Sequence, residues 1–326
     1  ADAGFVPNFA SALGASSRDR SQPPVGAASL LEVYKIWKEK WIVEYLFEAL
    51  AQWNDWWFEH RQIEPGLFAW GSDPYTPRVG HYSEREGVNG RFGAALESGL
   101  DNSPMYDDIP FDQGRHMLLL ADVGLTGLVI LDCRALLALS EVIGDQKRGA
   151  IFRERLALCE RAIQRLWCEE DGFFYNLRTD TGEFSKRISP TNFYALYSSS
   201  VTERQMRRVI EEHFYNPREY WGDYILPSIA RNDPAYPEQD YWRGRIWPPM
   251  NFLVYGALKA RSLDGPARDL AERSAKLILK EWLEKGHVHE NYCADTGEGC
   301  NVWSSDSFYH WGGLLGLIAL REAKKV

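Results

Sequence analysis

Two carboxylates stand in loops where ordinary helix packing does not need them. Asp101 lies in Gly99-Leu100-Asp101-Asn102-Ser103-Pro104, and the bracketing Gly and Pro exclude a helix interior. Such an aspartate has a structural use, as the acceptor of an Asx turn or a helix N-cap. Glu290, flanked by Asn291 and Tyr292, follows a helix expected to end near Gly286, where a surface glutamate is the ordinary reading. Taken as a pair they also have a chemical use. Cleaving a glycosidic bond needs one carboxyl kept protonated by apolar surroundings, to protonate the leaving oxygen, and another kept ionised to activate water.

The surroundings expected for such a pair are present. The chain has 13 Trp and 16 Tyr, many of them in Gly/Pro-rich segments and not on helical stripes. Part of them belongs to the rim of a large core. The rest would line a cleft for a ligand with apolar faces and hydroxyls, which describes a sugar. Polar and aromatic loops recur at residues 17–24, 96–104, 189–192, 221–223, 241–247, 289–292 and 308–313. From these loops Asn102, Trp247, Tyr309, His310 and Trp311 join the candidate substrate-binding set.

Other chemistries fit less well. His287, His289, Cys293 and Cys300 are soft ligands within one short segment, yet their spacing matches no known zinc motif, so no metal or other cofactor is expected. Gly-x-Ser-x-Gly, Gly-x-Gly-x-x-Gly and phosphate-loop patterns are missing from the sequence. A net charge of -9 argues against nucleic acid and anionic membranes as partners. No apolar run reaches the roughly 18 residues that span a bilayer; the nearest, 117–131, is broken by Asp122. The 5 Cys, odd in number and irregularly spaced, point to free thiols in a reducing cytoplasm. The expected partner is a small carbohydrate, and self-association into a homo-oligomer is compatible with the sequence.

The elements that must position these loops are helices. Residues 29–38 and 40–62 read as consecutive helices, the second with Ile42, Leu46, Ala49, Leu50, Trp53 and Trp57 near a 3.6 period. Residues 117–142 read as a helix apolar on most sides, and 148–168 as an amphipathic one. Ser189-Pro190 opens a short helix and Thr202 to Gln205 forms a capping box for the next. Residues 248–260, 266–285 and 304–323 complete the set. Between them recurs an acidic residue, any residue, Gly, then two mostly apolar residues: Asp2 to Val6, Glu64 to Phe68, Glu170 to Phe174 and Glu284 to Val288. In the last three the Gly is expected just after a helix, in the left-handed C′ position. Repeated helical hairpins build a solenoid or a closed toroid, and loops gathered at one set of helix ends favour the toroid. The chain, 326 residues in one domain spanning 1–326, opens on a repeat copy with no helix ahead of it. It is therefore expected to begin inside a domain, with roughly three helices lying outside it.

At these loops the sequence resembles glycoside hydrolase family 63, in its bacterial and archaeal branch of mannosylglycerate and glucosylglycerate hydrolases. The resemblance rests on Gly4 to Phe9, Ser21 to Pro24, Glu97 to Pro104, Tyr241 to Gly244 with Trp247-Pro248, and His289 to Tyr292, in the family's order. It implies an all-α (α/α)6 barrel that cleaves α-glycosidic bonds with inversion, Asp101 as general acid and Glu290 as general base. It places Gln22, Tyr241, Trp242 and Arg243 in segments lining the subsites. Arg243 or Arg20 would hold the carboxylate of a glycerate aglycone, or else form a structural ion pair. The family's early Trp-Asp segment, whose Asp holds the sugar in the first subsite, does not occur in this chain.

The leading expectation is inverting hydrolysis of a small α-glucoside or α-mannoside. Two alternatives stay open. A sugar isomerase or epimerase on the same toroid would use His289 and His310 for proton transfer. A non-catalytic sugar-binding fragment would bind without turnover.

Overall fold

The computed structural model describes residues 4–12, 14–75 and 88–324. The helices that the apolar spacing marks out are α1 (Gly26–Trp37), α2 (Lys40–His60), α4 (Val123–Ile143), α5 (Gln146–Ala162), α7 (Pro248–Ala260) and α8 (Asp264–Lys285). The Thr202 capping box forms as expected, and its helix α6 (Glu203–Arg208) runs on as a π-helical turn through Phe214. Ser189 caps a 3-10 helix, Pro190–Tyr197. Consecutive helices pack side by side, α1 on α2, α4 on α5, α7 on α8 and α8 on α9 (Leu314–Glu322).

The innermost of these is α4. It meets α1, α2, α5 and the Pro190–Tyr197 segment, and its apolar composition suits contact on nearly every side. Asp122 begins it by accepting the Leu125 N–H at 2.7 Å, so the carboxylate stands ahead of the helix and does not interrupt it. That changes the membrane reading. By length and composition α4 is long and apolar enough to cross a bilayer, with 78% of its most apolar window buried inside the fold. Close packing rests on two glycines. A Cβ at Gly127 would lie 2.5 Å from the Tyr194 carbonyl, and one at Gly124 2.7 Å from Thr191.

Several expectations need correction. Residues 117–121, read as helix, form the ends of two short antiparallel pairs. Strand β3 (Phe111–Asp112) pairs with β4 (Met117–Leu118), and β5 (Leu120–Ala121) with β8 (Leu177–Arg178). An apolar run carries no period of its own to separate strand from helix. Residues 91–98, left out of the helical set, form α3 (Arg91–Ser98), with every residue from Gly93 to Ser98 buried. The last helix begins at Leu314, not near Ser304, after a 3-10 turn over His310–Gly313. On α2 the expected Trp53 and Trp57 are buried, whereas in the first turns the buried positions are Val43, Phe47 and Ala51, one residue on from the expected Ile42, Leu46 and Leu50, which are only partly buried.

The recurrent glycine is left-handed in every copy: φ is 72° at Gly4, 77° at Gly66, 69° at Gly172 and 76° at Gly286. Of the three expected to follow a helix, only Gly286 does. Gly66 turns the hairpin between β1 (Gln62–Glu64) and β2 (Leu67–Phe68), and Gly172 the one between β6 (Trp167–Cys168) and β7 (Phe173–Phe174). Asp2 and Ala3 of the first copy lie outside the described residues.

Candidate active site

Asp101 is presented by the end of α3. Gly99 closes that helix in the left-handed conformation, φ 72°. Ser98 Oγ then accepts the Leu100 N–H at 3.0 Å, and the Ser103 N–H returns to the Leu100 carbonyl at 2.8 Å. The cap of the following 3-10 turn is Ser103, whose hydroxyl accepts from Met105. Capping duty therefore falls to Ser103 and leaves the partly exposed Asp101 carboxyl at the apex of the turn. Burial raises its pKa to about 6, opposed by its own backbone N–H and by the charge of Arg20.

Glu290 sits in an extended segment held on both sides. Tyr292 exchanges backbone hydrogen bonds with Ile246 at 2.7 and 3.0 Å, and the Glu290 N–H donates to the Asp306 carbonyl at 2.8 Å. The Trp311 indole donates to the Glu290 carbonyl at 3.1 Å. The Glu290 side chain belongs to a residue only 5% exposed. Its pKa is raised to about 7, first by burial, then by the nearby negative charges of Asp306 and Asp101, against hydrogen bonds from the Asp306 backbone and Tyr241. The same three carboxyls act together on the Tyr309 phenol. Asp101, Glu290 and Asp306 thus share one site, beside a cavity of about 320 Å³ lined by Asp306 to His310.

The aromatic residues named from the loops gather here. Trp242 stacks on Trp247 with ring centroids 3.7 Å apart, Tyr241 meets Trp247 edge-on at 4.9 Å, and Trp311 lies 6.0 Å from Trp247. Tyr309 leans on Trp311 at 4.2 Å and stacks on His310 at 5.3 Å. Tyr241, half-exposed, holds φ at 51°, a conformation that costs a bulky side chain of order 1–3 kcal/mol and is typical of functional loops.

Five of the residues expected at the ligand are engaged in bonds within the protein. Trp247 is fully buried, with its indole N–H on the Tyr241 carbonyl at 2.8 Å, so it backs Trp242 and presents no face of its own. The Asn102 oxygen accepts the Trp242 N–H at 2.9 Å. Arg243 is forked on Glu238 at 2.6 and 3.0 Å and also reaches Asp107 at 3.0 Å. Arg20, fully buried, donates to both Asp19 oxygens at 2.9 Å and to Asn8 at 3.1 Å. Both arginines take the structural ion-pair option, because carboxylates distant or adjacent in sequence reach them first. Gln22, half-buried, spends its amide N–H on the Asn8 carbonyl.

Of the four soft ligands considered for a metal, His287, His289 and Cys300 bring ligand atoms within 4.8 Å of one another, and Cys293 stands apart. Fully buried His289 has Nδ1 2.8 Å from Cys300 Sγ and Nε2 3.1 Å from Glu281. Both ring nitrogens face protein groups, and burial lowers its pKa to about 4. A neutral, enclosed imidazole is poorly placed for the proton shuttling an isomerase needs. Residues that the sequence reading passed over also matter: Asp306 beside Glu290, and a buried Arg61–Glu97 pair at 2.7 Å behind α3. Glu97 is visible in the motif around Asp101, but nothing in the sequence points to Arg61 as its partner.

Comparison with known proteins identifies the family and the fold. A mannosylglycerate hydrolase MGH1-like glycoside hydrolase domain matches residues 1–311. Alpha-glucosidase 2 of Arabidopsis thaliana is 25% identical, over 86% of this chain and 40% of its own length. Mannosylglycerate hydrolase of Thermus thermophilus is 27% identical, over 58% of this chain and 45% of its own. The chain thus spans less than half the length of these relatives. Among solved structures, a GH63 mannosylglycerate hydrolase from Thermus thermophilus in complex with glucose superposes with TM-score 0.75 at 20% identity, over 98% of this chain and 84% of that one. Neutral trehalase of Saccharomyces cerevisiae gives 0.70 at 18% identity, over 94% and 63%. The fold is the (α/α)6 barrel of these enzymes.

Proposed function

The chain belongs to the MGH1-like glycoside hydrolases of family 63, and from that premise we propose that it hydrolyses a small α-glucoside or α-mannoside with inversion at the anomeric carbon. Glucosylglycerate, mannosylglycerate and α-glucobioses are the substrates to consider. The observation that carries this reading is the meeting of Asp101 and Glu290, both raised by burial, beside a cavity walled by Tyr309 and His310.

In the proposed reaction, protonated Asp101 gives its proton to the glycosidic oxygen as the bond from that oxygen to the anomeric carbon breaks. Ionised Glu290 takes a proton from a water that attacks the same carbon from the opposite face. The water oxygen becomes the new anomeric hydroxyl, and solvent exchange returns the proton from Glu290 to Asp101. Burial serves the acid by disfavouring its charged form. The tether from Tyr241 serves the base by stabilising its anion.

The test is NMR observation of the sugar released from glucosylglycerate, mannosylglycerate and a set of α-glucobioses. First appearance of the β-anomer supports inversion. On the two glycerate glycosides, whose leaving group is not a sugar, first appearance of the α-anomer would overturn it, and no release from any substrate would remove this substrate reading for the chain.

A further inference from the structure

Helix α3 has eight residues, too few to be stable without tertiary support. That support is concentrated at Glu97, in its last turn and fully buried. Each carboxylate oxygen accepts two hydrogen bonds. Oε1 takes the Ser21 N–H at 2.9 Å and Arg61 Nη2 at 3.0 Å; Oε2 takes Arg61 Nε and the Gly71 N–H, each at 2.7 Å. Arg61, also fully buried, reaches on to Asp73 at 2.9 Å and to the Asp19 carbonyl at 3.1 Å. One side chain therefore joins α3 to the end of α2, to Gly71 and to the 19–21 segment. From it the path to Asp101 runs along the chain through the Gly99 turn.

We propose that Glu97 is a positioning residue for the proton donor, the buried Glu97–Arg61 fork fixing the helix end that carries Asp101. This rests on Asp101 being the acid of the proposed reaction. Glu97→Gln preserves the shape of the side chain but turns an NH2 toward groups that are all donors. At least one N–H on each side of that clash loses its acceptor, and the α3 end must shift. Displacement of a reacting group by about 1 Å costs on the order of a hundredfold in rate.

Leaving-group dependence separates positioning from simple loss of structure. An alkyl glycoside needs its leaving oxygen protonated, whereas the matching glycosyl fluoride departs without that help. Glu97→Gln is expected to lower kcat on the alkyl glycoside about a hundredfold, with KM little changed and turnover of the fluoride largely kept. Asp101→Asn should show the same split. Arg61→Lys keeps the charge but not the fork and should reproduce it, which covers the case of a Glu97 variant that does not fold. Equal losses on both substrates in either variant, while Asp101→Asn splits them, would overturn the positioning role alone. Equal losses in Asp101→Asn as well would overturn it together with the reading of Asp101.

Discussion

Asp101 and Glu290 owe their unusual proton affinities to the same cause, removal from water, yet the proposed reaction asks opposite things of them. In the free protein Asp101 loses its proton near pH 6 and Glu290 near 7. The form the proposed reaction requires, Asp101 protonated and Glu290 ionised, is the less populated of the two singly protonated forms, because Glu290 holds its proton to higher pH; both forms are most abundant between those values. The kcat/KM profile is therefore expected to be bell-shaped with a maximum between about pH 6 and 7, falling on either side. Activity that stays level from about pH 5 to 8 would exclude the pair. Asp306→Asn removes a like charge beside Glu290 and should move the alkaline limb to lower pH. Asp101→Asn and Glu290→Gln should each lower kcat on an alkyl glycoside by about 10²–10⁴, measured as product released, with melting temperature as the control for folding. Asp101 was legible because Gly and Pro excluded helix around it. The internal use of Arg20 and Arg243 was not, since the Asp107 and Glu238 that saturate Arg243 are known as partners only once the chain has folded.

At the scale of elements, glycine positions show how far a local pattern reaches. The left-handed requirement at Gly66, Gly172 and Gly286 follows from the recurrent motif, but whether a helix or a strand precedes the turn depends on what packs next to it. Inside α4 the reason for Gly127 lies in another element, the Tyr194 carbonyl that would stand 2.5 Å from a Cβ. Gly127→Ala should raise helix propensity and still destabilise the protein by about 1–3 kcal/mol, because the Pro190–Tyr197 segment must move away. Urea unfolding measures this, and a variant as stable as the parent would contradict the close approach. Helix α3 escaped the sequence reading for a related reason. Its eight residues contain Gly93 and have no side-chain N-cap, so tertiary contacts supply the stability that local propensity does not.

For the molecule as a whole, buried carboxyls set an unusual dependence of stability on pH. Asp132 of α4, hydrogen-bonded by Asn54 of α2 at 2.7 Å, is raised by burial to about 7, and Asp122 to about 6. A carboxyl raised above its unfolded value contributes stability that is complete below about pH 4 and is lost as pH climbs to its folded pKa. Surface carboxylates held low by arginines, Glu169 by Arg204 and Asp180 by Arg178, act the other way and lose their contribution as pH falls below about 4. Stability is therefore expected to be greatest near about pH 5 and to decline toward about pH 8. Asp132→Asn, which cannot ionise, should flatten that decline in thermal melts taken across the range. An unchanged slope would mean that Asp132 is not the group responsible.

The sequence by itself determined the helical class, written in the apolar period, and the left-handed turns at the recurrent glycines, and it singled out Asp101 as a candidate for chemistry because Gly and Pro exclude helix around it. Only the tertiary structure decided which charges meet. Arg61 and Glu97, 36 positions apart, form a pair through burial neither could tolerate alone, and Arg243 turns from ligand candidate to strut because Glu238 and Asp107 arrive within reach. Electrostatic energy depends on distance and on exclusion of water, and neither quantity exists along the chain until it has folded.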